Sequence, residues 1–218
     1  MSSWIMHLRI GELFARWVPI ECQTLFYVGC IAPDSGVPNP DSVTYQPPKN
    51  ISHWQDEQHR SLAEDFFSEY VQNAPFPSRA FYLGYYIHLA TDELWKTHVF
   101  RPNRDFLLRE GVLPGEITAV SRSDWKRADT HFLRSHPEYQ PYLILKDAVG
   151  FQNTYLPYFP PDAIARKIDE IASCFDGDCR EDTLSFRIFG PQDADKFVRL
   201  CADKISVLLQ QHDVVPIR

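Results

Sequence analysis

His88 and Asp92 stand four residues apart in the stretch LGYYIHLATDELWKTH, residues 83–98, and His98 follows six residues after Asp92. On a helix, positions i and i+4 lie one above the other on the same face. An imidazole and a carboxylate held in that way can chelate one transition metal, and Zn²⁺ accepts both ligand types. The plainer alternative is a helical His–Asp pair sharing a half-buried hydrogen bond. His98 falls about 9 Å further along the axis and roughly 120° around it from Asp92. It therefore belongs to a different site, reached if the helix bends or another element meets it.

Three further groups stand beside apolar stretches that would draw them inward: His7, Asp34 and His53. A lone histidine such as His7 is ordinarily a satisfied core residue, and Asp34, in the turn sequence Pro33-Asp34-Ser35-Gly36, is ordinarily a turn cap. Together the six are harder to dismiss. Buried imidazoles and carboxylates are costly unless paired or bound to metal, and the first half of the chain offers His7, Asp34, His53, His88, Asp92 and His98.

The elements that must position these side chains read as helices. Trp4, Ile5, Leu8, Leu13, Phe14 and Trp17 recur at helical spacing until Pro19 ends the pattern. Residues 25–32 form a short apolar run, helix turn or strand, that delivers Asp34. Residues 37–51 carry Pro38, Pro40, Pro47 and Pro48 and predict a long irregular loop over a site, ending at His53. Residues 60–71 read as an amphipathic helix, and the central helix begins near Arg79. Residues 101–115 read as a polar connector, 121–135 and 139–151 as helices. Pro160-Pro161-Asp162 opens a helix running to Phe175, and 192–209 form the last helix. Residues 183–189 (TLSFRIF) alternate like a short strand with nothing obvious to pair with. No repeat or domain boundary is visible, so residues 1–218 predict a single, nearly all-α domain.

Composition narrows the partners. A net charge of −7 without a Lys/Arg run argues against nucleic acid as an obligate partner. Cys22, Cys30, Cys174, Cys179 and Cys201 have no disulfide-framework spacing and read as free thiols. No signal peptide and no membrane-length apolar run is recognisable, which makes the cytoplasm the simplest address. Tyr45, Trp54, Tyr85, Tyr86 and Trp95 read as core aromatics, with stacking on a substrate as the alternative. Oligomeric state leaves no mark on the sequence.

The ordered set Trp4…His7, Ala32-Pro33-Asp34-Ser35-Gly36, His53 and His88-x3-Asp92-x5-His98 resembles the zinc-dependent phospholipases C, relatives of the P1/S1-type nucleases. The stretches SDWKRAD and HFLRSHPEY resemble bacterial members of unassigned substrate, so the likeness spans about residues 3–139, and the last helix is similar too. The resemblance implies an all-α fold and up to three zinc ions. Asp34, His53, His88 and Asp92 would hold one, Asp92 would reach a second near His7, and His98 would begin a third. It also implies hydrolysis of a small phosphodiester or phospholipid head group by activated water, with Asp34 orienting or deprotonating that water. The sequence departs from the family in two places. Trp4 is internal, where the secreted enzymes ligate zinc through the amino group and carbonyl of an N-terminal Trp. No His-x3-Glu or His-x3-Asp pair follows His98. Asp124 is the substitute ligand there and Asp129 the fallback, a set to which Mn²⁺ or Fe is also suited. The other classes are an HD-type phosphohydrolase, whose adjacent His-Asp pair occurs only at His212, and a non-catalytic helical binding protein stabilised by metal.

Overall fold

A helix with apolar residues on nearly every side becomes the middle of a structure, and α5 (Ser78–Trp95) does so here. Its residues Leu83, Tyr85, Tyr86, Ile87, His88 and Leu89 are buried. The computed structural model describes residues 2–40, 44–176 and 185–214, and the chain is mostly helical, as its periodicity predicts. In order come α1 (Trp4–Ala15), α2 (Gln23–Ile31), α3 (Lys49–Ser52), α4 (Ala63–Phe66), α5, α6 (Arg101–Arg109), α7 (Ile117–Ser135), α8 (Gln140–Lys146), α9 (Ala163–Phe175) and α10 (Pro191–Gln211). One two-residue antiparallel ladder, β1 (Val37–Pro38) with β2 (Tyr45–Gln46), interrupts the proline-rich loop. Among the described residues no helix is long and apolar enough to cross a membrane.

The run at 25–32 is helical: it is α2, crossing α5 with backbone against backbone. A Cβ added to Gly29 would stand 2.1 Å from the Phe81 carbonyl oxygen, and one added to Gly84 would stand 2.1 Å from that of Phe26. Only residues without a Cβ permit this approach. At the far end of α5, Trp95 meets Trp125 of α7, Phe189 and Phe197 of α10 edge-on, with centroids 4.9–5.2 Å apart. Such aromatic pairs add to the stabilisation from burial itself.

Four expectations need correction. Residues 101–115 are not simply a connector, because a π-helical turn over Lys96–Phe100 carries the chain straight from α5 into α6. Pro102 sits in the first turn of α6, where its missing N–H matters least. The helix expected at 60–71 starts only at Ala63 and closes in a π-helical turn, Phe67–Val71. That expected at 139–151 spans only α8. The alternating segment at 183–189 forms no strand over its described residues 185–189; its first two residues, like Cys179, lie outside the described residues. Cys22, Cys30 and Cys201 are buried thiols.

Candidate metal centre

The His/Asp cluster is assembled from four elements. α1 supplies His7, and the 3₁₀ turn Ala32–Asp34 after α2 supplies Asp34. His53 caps α3, and α5 supplies His88 and Asp92. His7, Asp34, His53 and His88 are buried and Asp92 is half-buried. Two sets bring one ligand atom each within 4.8 Å of one another: His7, His88 and Asp92, and Asp34, His53 and His88.

Imidazole orientation is fixed by backbone carbonyls. His88 Nδ1 lies 2.8 Å from the Cys30 carbonyl oxygen across the α2–α5 crossing. His53 Nδ1 lies 3.2 Å from the Lys49 carbonyl oxygen. A carbonyl only accepts, so each Nδ1 carries the proton and donates it, leaving Nε2 as the ligating atom. Tyr85 holds the end of α3 in place by donating its hydroxyl to the Ser52 carbonyl, and itself accepts from Tyr158 at 3.2 Å. Trp54, directly after His53, takes a left-handed φ of 46°, a strained conformation of the kind that gathers at functional sites.

The two Nε2 atoms point at carboxylates. His53 Nε2 lies 3.3 Å from Asp34 Oδ1 and 3.6 Å from Asp92 Oδ2, and His88 Nε2 lies 3.6 Å from Asp92 Oδ2. Neither Nε2 and neither oxygen of Asp34 makes a hydrogen bond, although all are buried. A lone pair facing a carboxylate oxygen is repulsive unless a proton or a metal cation lies between them. Asp92 offers its other oxygen, Oδ1, to His7 Nε2 at 3.5 Å and accepts there from the Ser2 N–H at 2.8 Å. It thus stands between the two sets as a bridging carboxylate would. His88 has a single available nitrogen and can serve one ion only.

Electrostatics favour the ligand forms of His7, Asp34 and Asp92. Burial, aided by repulsion from His88, lowers the His7 pKa to about 4, so this ring is neutral near pH 7. The His7 and His88 rings stack 3.6 Å apart. Burial pulls His88 downward too, but the carboxylates of Asp92 and Asp34 outweigh it and raise its pKa. Burial pushes both acids up, yet neighbouring positive charge and histidine contacts hold Asp34 and Asp92 below the usual carboxylate range. The same carboxylates that attract a proton to His88 would attract a divalent ion in its place. The residues present therefore fit a metal by donor type, orientation and unsatisfied atoms.

Asp34 and His53 form part of the wall of a cavity of about 540 Å³, which also includes Tyr45, Trp125 and Asp129. Tyr85, Tyr86 and Trp95 are fully buried core residues. The third expected site is not assembled. His98 lies in the Lys96–Phe100 π-helical turn and is exposed, because the wider turn shifts the register of every residue after it. Asp124 is buried but already employed: its Oδ2 accepts the backbone N–H groups of Arg187, Ile188 and Phe189 at 2.8, 2.7 and 3.3 Å, and Arg127 reaches its Oδ1 at 3.3 Å. Asp124 is an anchor that presses Phe189 onto Trp95. Asp124→Ala should cost roughly 2–4 kcal/mol, as three backbone donors, that of Phe189 buried, lose their acceptor. Bound metal per folded chain should stay unchanged in that variant; denaturant melts with metal analysis check both, and loss of metal would return Asp124 to the site.

Asp129, the fallback, does face the cavity and accepts from Ser3 Oγ at 2.7 Å. Burial raises its pKa from 3.8 to about 7. The proton it keeps in the folded state stabilises the fold fully below pH 3.8, and that contribution is lost as pH rises to 7. Asp129→Asn keeps the shape without the charge. It should be more stable than the wild type by roughly 1–3 kcal/mol at pH 8 and indistinguishable from it near pH 4. Denaturation at both pH values tests this, and equal differences at both would contradict it.

No family model matches the chain, and comparison with curated proteins and with solved structures likewise finds no significant match, so the cluster is read on its own geometry.

Proposed function

We propose that the chain is a metal-dependent phosphodiester hydrolase of the zinc-dependent phospholipase C type. The observation that carries this reading is the pair of buried Nε2 atoms, on His53 and His88, aimed at the carboxylates of Asp34 and Asp92 with their Nδ1 protons already donated to carbonyls. Zinc is the proposed ion, held by Asp34, His53, His88 and Asp92, with a further ion between His7 and Asp92. Bound there, such ions supply Lewis acidity for a phosphoryl oxygen and lower the pKa of water.

The chain's own residues supply the rest. Asp34, ionised and free of hydrogen bonds on both oxygens, would orient the attacking water. Asp129, half-protonated near neutrality, adds a proton-bearing group to the same cavity. A purely structural metal site would be closed by protein on all sides; the place of Asp34 and His53 in the cavity wall supports catalysis over a binding module. Buried thiols at Cys22, Cys30 and Cys201 suit a reducing compartment, and the cytoplasm is the proposed setting.

The test is a panel of bis-nitrophenyl phosphate, a choline phospholipid and single-stranded nucleic acid, with zinc-loaded and chelated protein. Turnover of at least one substrate, lost on chelation and restored by zinc, is expected. Asp34→Asn should lower kcat about a hundredfold even in the fraction of protein that still holds zinc. Zinc-loaded protein that turns over none of them would leave the metal-stabilised binding protein as the reading.

A further inference from the structure

The chain is acidic overall, at −7, yet the cavity beside the His/Asp cluster has four cationic side chains in its wall. Arg122 and Lys126 come from α7, Lys167 from α9 and Lys49 from the first turn of α3. Arg122 and Lys126 are one helical turn apart, where like charges repel across the helix surface, and neither has a carboxylate partner among the described residues. Lys167 is paired with Glu170 at 2.5 Å and lies over the Trp4 ring, and Lys49 lies over the Tyr45 ring at 4.7 Å. The three acidic groups of the same wall are engaged elsewhere than at Arg122 and Lys126: Asp34 faces His53, Asp129 is bonded to Ser3, and Glu170 is paired with Lys167. A phosphodiester carries one charge, which the metal cluster of the proposed function would already meet. Arg122 and Lys126 come from α7, an element that contributes no residue to the His/Asp cluster.

We propose that the substrate bears a second anionic group beside the scissile phosphodiester, a phosphate or a carboxylate, and that Arg122 and Lys126 hold it. The proposal rests on the phosphodiesterase reading for the scissile bond, but the anion site itself needs no metal. Arg122 presents a planar donor fork suited to either oxyanion, and Lys126 a point charge. A zwitterionic choline head group would place an ammonium against these same cations, so this enzyme should discriminate against it.

Calorimetric titration of the full chain, metal-free and zinc-loaded, with inositol 1,4-bisphosphate, phosphoserine and phosphocholine tests the proposal. The bisphosphate and phosphoserine arms separate phosphate from carboxylate as the second group. At least one of these two should bind tenfold or more tightly than phosphocholine, and its affinity should weaken as salt is raised. R122S/K126S alters exposed residues and should fold as the wild type does. It should lose tenfold or more in affinity for the preferred probe, while its phosphocholine affinity stays the same or rises and its zinc content is kept. Equal binding of all three probes, or an unaltered double variant, overturns the anion site. If the preferred probe binds through Arg122 and Lys126 but no phosphodiester is hydrolysed, the anion site stands and the hydrolase reading fails. If choline and acidic diesters are hydrolysed equally well, the hydrolase reading stands and the substrate proposal fails.

Discussion

In His88→Ala, zinc bound per chain should fall to near zero at metal concentrations that saturate the wild type. His88 is the ligand common to both sets, and its Nε2 is held in place by the 2.8 Å bond from Nδ1 to the Cys30 carbonyl. Losing it leaves three donors for the principal ion and removes the ring stacked on His7. For a ligand that binds only the folded state at a thousand times its Kd, the stabilisation is about 4 kcal/mol. In a chain of this size that is a rise in Tm on the order of 10 °C. The wild type should show that rise between chelated and zinc-loaded protein; His88→Ala should show none, and hydrolysis should fall by about 10³-fold or more with the metal. Elemental analysis and thermal melts with and without chelator measure all three. Wild-type metal content in His88→Ala would refute the assignment.

The second large effect concerns a residue with no chemistry of its own. Alanine in place of glycine inside a helix ordinarily stabilises by about 1 kcal/mol. Gly84→Ala should instead destabilise by about 3 kcal/mol or more, because the new methyl would lie 2.1 Å from the Phe26 carbonyl oxygen. Backbone, unlike a flexible side chain, cannot swing aside, so α2 must move off α5. That movement stretches the Cys30–His88 bond, and loss of such an orienting partner typically costs 10–100-fold in metal affinity. Gly115→Ala, where nothing lies within 4 Å of the added Cβ, is the control and should stay within about 0.5 kcal/mol of the wild type. Urea melts and zinc titrations of both variants decide the matter; a Gly84→Ala protein as stable as the wild type would show that the crossing is looser than described.

The central helix was legible because a buried helix is apolar all round, and residues 83–90 are so except at His88. Asp34 and His53 were legible because each follows or interrupts an apolar run at a turn. The structure brings these two, His7, His88 and Asp92 into one cluster. His98 misled for a geometric reason: a 3.6-residue period cannot foresee a π-helical turn. On α7 both Asp124 and Asp129 lie at buried positions of an amphipathic pattern, and the pattern cannot tell which face meets the cavity and which meets residues 187–189. The segment at 185–189 alternates because Phe189 must point at Trp95 while its backbone donates to a carboxylate, a demand that imitates a strand. α6 escaped because it is short and strongly polar, and Pro102 in its first turn reads as a break. The cationic wall left no trace in the linear sequence, since its members come from three elements separated along the chain.

The α2–α5 crossing also separates two clocks. Amides in the middle of α5 are shielded on every side, and such positions exchange with solvent only when the whole domain opens. Asp34 and His53 instead sit on a three-residue turn and at the end of a four-residue helix, segments that local fluctuations can lift while α5 stays folded. An ion held as proposed by both kinds of element would therefore leave by the Asp34 and His53 side long before any amide of α5 reports an opening. His88 and Asp92 would remain as a fixed half-site for the next ion.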